Sequence, residues 1–86
     1  MEEKEVILNS MLEISFYAKI LTFSIPSTGY TSLNLYDISG RKVKNLIDEQ
    51  LEEGSHSIEL NELRAGIYFA VLKHEGRKIS EKVVVF

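Results

Sequence analysis

Few side chains in this sequence could do chemistry: two histidines, a scatter of serines and a run of carboxylates, with no cysteine. Nucleophilic catalysis needs a hydroxyl or amine held against a base that a third group orients. His56 falls at an inward-phased position of an alternating segment, and His74 sits beside a turn. Neither belongs to a HExxH, GxSxG or phosphate-loop pattern, so both read as packed or surface histidines. The carboxylates Asp48, Glu49, Glu52 and Glu53 are dense enough to attract calcium. Calcium loops, however, alternate their ligands around a sharp glycine turn, as in D-x-D-x-D-G. The stretch DEQLEEG has no such spacing and reads as a solvated acidic connection. The absence of cysteine excludes disulfides and thiolate metal sites. The expectation is a chain that is not an enzyme and has no catalytic residues, cofactor or metal.

The bulk properties narrow the class further. Eighty-six residues, 44% of them hydrophobic and 27% charged, suffice for one domain with a modest core and are too apolar for disorder. Ten basic and 13 acidic residues give a net charge of −3, which argues against nucleic acid as a partner. The nearest approach to a basic patch is Arg41, Lys42 and Lys44, along a strand edge. No run of 18 apolar residues exists, so no membrane-spanning segment is expected. The opening residues MEEKE are acidic, unlike the basic start of a signal peptide, so an export signal would sit on a longer parent.

The elements that must carry these residues are strands. Leu12 to Tyr17 places Leu12, Ile14 and Phe16 on one side; Lys19 to Ile25 places Leu21, Phe23 and Ile25 on one side. Alternation of this kind marks strands with one buried face. Pro26 and Ser27-Thr28-Gly29 then turn the chain. A third strand from Tyr30 to Ile38 has Leu33 and Leu35 inward and Ser32 and Asn34 outward. Ser39-Gly40 turns it into a hairpin with Val43 to Ile47, where Asp37 caps the turn and Arg41 reaches back across it. After the acidic connection Asp48 to Gly54 come the alternating His56, Ile58 and Leu60. A corner follows at Asn61 to Gly66, with a helical turn expected around Glu62-Leu63-Arg64. Ile67 to His74 is apolar on both faces, as in a strand that is covered twice. Glu75-Gly76 makes a tight turn and Arg77 to Phe86 forms the last strand. Gly40, Gly54, Gly66 and Gly76 each stand just before a strand, where positive φ is often needed. Six or seven short strands with a turn about every ten residues predict an all-β, two-sheet sandwich. Residues 1–18 are an N-terminal strand or tail whose membership the sequence leaves open, in which Val6-Ile7-Leu8 could be an edge strand; residues 19–86 form the sandwich, and the whole reads as one domain.

From Lys19 onward an ordered series of short motifs can be read. Phe23-Ser24-Ile25-Pro26 is followed by Tyr36-Asp37-Ile38-Ser39-Gly40-Arg41-Lys42-Val43, then Gly54-Ser55-His56-Ser57. Leu63-Arg64-Ala65-Gly66-Ile67-Tyr68-Phe69 comes next, and Lys82-Val83-Val84-Val85 closes the series. In order and gaps this resembles the C-terminal sorting domains (type A) of the bacterial type IX secretion system. It is also similar to the related immunoglobulin-like modules of flagellar hook-capping proteins, which share the hairpin and GIYF pattern. Two departures stand out: Asn9 to Ala18 holds no Asn-Pro-rich segment, and the chain ends on Phe86 where the family often has a basic residue.

The resemblance implies an immunoglobulin-like β-sandwich of about seven antiparallel strands. It implies as partners the proteins of the secretion machinery and a sortase-like peptidase that removes the domain while attaching its cargo to surface polysaccharide. The parent would reach the cell surface or the extracellular space by way of the periplasm. Recognition candidates carried over with it are Asp37, Gly40 and Arg41 of the turn, Gly66, Ile67, Tyr68 and Phe69, and Lys82, Val83 and Val84 of the last strand. A structural or adhesive immunoglobulin-like module, binding protein or carbohydrate, is the alternative; a small hydrolase lacks every motif it would need. The open edges of such a sandwich and the two-faced strand Ile67 to Leu72 add a homodimer to the expectations.

Overall fold

A computed structural model describes residues 11–86 of the chain, so the Val6-Ile7-Leu8 segment lies outside the described residues. Seven strands follow one another with no helix between them: β1 (Glu13–Tyr17), β2 (Ile20–Ile25), β3 (Gly29–Asp37), β4 (Lys42–Leu51), β5 (Gly54–Glu59), β6 (Gly66–His74) and β7 (Arg77–Val85). All pairings are antiparallel. They build a three-stranded sheet in the order β1-β2-β5 and a four-stranded sheet in the order β4-β3-β6-β7. The two sheets face each other as an immunoglobulin-like sandwich.

The alternation read from the sequence is what closes the two layers. Leu21, Phe23 and Ile25 of β2 meet Leu33 and Leu35 of β3, Ala70 and Leu72 of β6 and Val83 of β7, all fully or almost fully buried. At roughly 1.5–3 kcal/mol for each large side chain removed from water, this layer is the main source of stability. Both histidines belong to the packing. The His56 ring stacks on Phe23 with centroids 5.3 Å apart, and one of its nitrogens bonds the Glu52 carbonyl at 2.8 Å. His74 is 2% exposed; its Nδ1 lies 2.9 Å from Thr31 Oγ1 and its Nε2 3.3 Å from Ser27 Oγ. The Thr31 hydroxyl also lies 3.2 Å from the Gly29 carbonyl, to which it donates. Its lone pairs are then free to accept from His74 Nδ1–H, so the buried imidazole and the Thr31 hydroxyl both have partners.

Several local expectations are revised. The acidic stretch Asp48–Leu51 is not a connection but the second half of β4, paired with Gly29–Ser32, which leaves only Glu52 and Glu53 between strands. It was hidden because β4 carries two bulges, which place one extra residue opposite β3 between Asn45 and Ile47 and another between Lys42 and Lys44. Each bulge breaks the two-residue period on which strand recognition rests. The helical turn around Glu62-Leu63-Arg64 is absent; Glu62 instead takes a φ of 63° and lets Leu63 pack against the core. Lys19 is a turn residue, since Ala18 and Lys19 (φ 53° and 69°) form a two-residue hairpin between Tyr17 and Ile20. Ser32 and Asn34 do lie on the outward side of β3, yet each is only 8% exposed. On that inner strand, β4 and β6 crowd them from both flanks.

Candidate functional site

The turn between β3 and β4 is built from its aspartate. The Gly40 N–H donates to the Asp37 carbonyl at 2.9 Å, closing a β-turn, and Gly40 continues with a φ of 91°. A glycine in that left-handed position is the usual exit from a short hairpin loop. Asp37 Oδ1 accepts from the Ser39 N–H (3.0 Å), the Ser39 hydroxyl (2.7 Å) and the Arg41 N–H (3.0 Å). Its second oxygen lies 3.5 Å from Arg41 Nε. The Ser39 hydroxyl, helped by the Arg41 N–H, holds the Asp37 carboxyl below its ordinary value of 3.8. The capping role read from the sequence is therefore present.

The strand register connects this turn with the other candidates. Asp37 stands opposite Tyr68 of β6, and Tyr68 stands opposite Val83 of β7. One residue along, Tyr36 pairs with Lys42 on one side and with Phe69 on the other, and Phe69 pairs with Lys82. Ile67 and Val84 pair at the end of the same face. The ten sequence-predicted residues, spread from position 37 to position 84, thus gather at one end of the four-stranded sheet.

Within that cluster the roles divide by side. Tyr68 and Val83 point inward; Val83 is fully buried, and the Tyr68 hydroxyl donates to the Arg64 carbonyl at 2.7 Å, fixing the corner that leads into β6. A tyrosine that bonds back across the corner before its strand is a stabilising device of immunoglobulin-like sandwiches. Ile67, Phe69 and Val84 point outward and are 37%, 37% and 39% exposed. The both-sided apolar character of β6 is therefore explained by an inner row in the core and an outer row on an open face.

That open face has a charge of its own. Successive cross-strand rows read Lys42, Tyr36, Phe69, Lys82; then Asn45, Asn34, Val71, Ser80; then Asp48, Ser32, Lys73, Lys78. Among the described residues, four lysines stand there with one carboxylate, Asp48, which accepts a hydrogen bond from Tyr30. The bond raises the Tyr30 hydroxyl above its ordinary value, because it stabilises the protonated phenol. The outer face of the three-stranded sheet is different: Glu13, Ser24 and Ser55, then Ser15, Thr22 and Ser57, then Tyr17, Ile20 and Glu59. One sheet thus presents apolar groups framed by ammonium ions, and the other presents hydroxyls and two carboxylates.

Sequence reasoning missed one further feature, a cavity of about 540 Å³ beside the end of β7. Phe16, Tyr17, Leu60, Leu63 and Val84 contribute to its walls. The Ala18-Lys19 hairpin and Glu62 line it as well, and the Leu60 N–H holds hairpin and corner together by donating to the Lys19 carbonyl at 2.8 Å. Ala-Lys carries none of the Asn or Gly signal of such a turn, so nothing in the sequence marked it. Among the described residues no group of His, Asp or Glu is arranged to hold a metal ion, and no helix is long and apolar enough to cross a membrane.

Comparison with known proteins agrees with the motif series. No curated protein matches the chain. The family described as secretion system C-terminal sorting domain matches residues 9–86, which takes in all seven strands and every candidate residue named above. With that match, the motif order and the seven-stranded sandwich in agreement, the chain belongs to the type IX secretion system C-terminal sorting domains.

Proposed function

We propose that this domain is a non-catalytic address: the type IX machinery docks the folded sandwich and thereby exports its longer parent through the periplasm to the cell surface. The observation that carries the reading is the convergence of three separated motif segments at one end of one sheet. A linear signal would not need the Asp37–Tyr68–Val83 register, whereas a folded surface depends on it. Docking uses the Asp37–Arg41 turn together with the outward residues Ile67, Phe69, Lys82 and Val84; Tyr68 and Val83 hold that surface in place from within, and Gly66 opens the strand that carries it. A sortase-like peptidase then acts on the docked parent. The match to a family of sorting signals supports the non-catalytic assignment.

Fusion tests this reading. A periplasm-directed reporter carrying residues 1–86 at its C-terminus, in a bacterium that has type IX machinery, is expected at the cell surface. The same reporter ending before the domain is expected in the periplasm. Equal distribution of the two would refute the sorting role.

We also propose that two copies associate edge to edge through β5. The β4 edge is interrupted by two bulges, which discourage pairing, whereas Gly54–Glu59 has neither bulge nor proline and is paired only with β2. Light scattering at micromolar concentration should give a dimer mass, and a monomer mass would refute this pairing.

A further inference from the structure

We infer that the partner of the open β4-β3-β6-β7 face is an acidic protein surface with an apolar centre, met through the lysine frame around Phe69; this rests on the sorting role proposed above. The chain as a whole carries a charge of −3, yet among the described residues this face holds Lys42, Lys73, Lys78 and Lys82 against one aspartate, which is engaged by Tyr30. Such local reversal of the overall sign steers association toward a surface of opposite charge. Tyr36, Phe69 and Val71 lie within the frame and Ile67 and Val84 one row beyond its Lys42 and Lys82 end, an apolar strip that crosses three strands. Exposed apolar surface with a polar rim is the usual make-up of a protein interface.

Two other occupants fit less well. A second copy set symmetrically on this face would place the same four lysines against themselves. A membrane would need side chains that reach about 5–10 Å into the headgroup boundary. Here Ile67, Phe69 and Val84 are only 37–39% exposed, so most of each side chain is already packed against its neighbours in the sheet.

The test reverses charge on the face away from the turn. Lys73→Glu with Lys78→Glu leaves all ten motif residues in place and alters only exposed positions. In the reporter fusion, surface display is expected to fall on the order of tenfold, with Lys73→Gln and Lys78→Gln intermediate. Glu13→Lys with Ser15→Lys, on the outer face of the opposite sheet, is expected to leave display unchanged. Thermal melting of the purified chains, with all variants within a few degrees of the parent, separates recognition from folding. Normal display of the double glutamate variant, while the unaltered domain sorts, would overturn the acidic partner and leave the sorting role standing. Failure of the unaltered domain to sort would remove the sorting role itself. Purified chain is also mixed with vesicles rich in phosphatidylglycerol at physiological salt, where no co-sedimentation is expected. Sedimentation that the glutamate variant abolishes would assign the lysines to lipid and overturn the protein partner.

Discussion

Core and recognition can be separated by two substitutions of similar cost at different places, Phe69→Ala and Ile25→Val. Phe69 is 37% exposed on the open face, so roughly two thirds of the 1.5–3 kcal/mol available from burying a phenylalanine is at stake, about 1–2 kcal/mol. Ile25 is fully buried between the sheets, and removal of one methyl there costs about 0.5–1.5 kcal/mol. For a domain of this size each kcal/mol lowers Tm by about 4–8 °C, so the two variants melt within a few degrees of each other. Even from a stability of about 5 kcal/mol, either stays folded by a factor on the order of a hundred. The assay is surface display of the fused reporter beside thermal melting of the purified chain. Phe69→Ala is expected to lose display by well over its loss in stability, and Ile25→Val to keep it. Display that simply follows melting temperature in both would refute the claim that the open face is read, and would leave the GIYF segment as core alone.

Other expectations come from single contacts. Thr31→Val removes the acceptor facing His74 Nδ1 in the interior and should cost about 1–3 kcal/mol in denaturant unfolding; no change would mean that the imidazole is not bonded there. Gly40→Ala meets open space at the new Cβ, so its cost is that of holding φ at 91° with a side chain, about 1–2 kcal/mol. Because the Asp37 carboxyl is held below 3.8, the turn gains stability from it at neutral pH and loses that gain as pH falls through the depressed value. The Ser39 and Arg41 amide resonances should therefore titrate with a midpoint below 3.8, and Asp37→Asn should abolish that step. A midpoint above 3.8 would contradict the bonding described.

What the sequence discloses follows from how regular each element is. β2 is legible because Leu21, Phe23 and Ile25 are buried while Thr22 and Ser24 alternate with them on the side away from the core. β4 is not, because its bulges shift the period twice and the acids Asp48 and Glu49 look like loop residues until β3 is seen beside them. The corner before β6 was expected to be helical on the local propensity of Glu-Leu-Arg. Tertiary demands won: the chain must cross between sheets there, and Leu63 and the Tyr68 hydroxyl fix its course. The β3–β4 turn could be read in full, since its chemistry is local to Asp37, Ser39, Gly40 and Arg41. The joining of that turn to Phe69 and Lys82 is set by register between distant strands, and spacing along the chain does not determine it. The charge contrast between the two sheets was hidden for the same reason, because Lys42, Lys73, Lys78 and Lys82 become neighbours only after folding.

If type IX machinery reads this domain, surface display of its cargo must depend on that machinery. The reporter carrying residues 1–86 is expressed in a type IX strain and in an otherwise identical strain lacking the outer-membrane translocon, and surface and periplasmic reporter are quantified in both. Surface reporter is expected in the first strain, and folded, full-length fusion confined to the periplasm in the second. Surface reporter in both strains, or periplasmic reporter in both, would rule out recognition by the machinery.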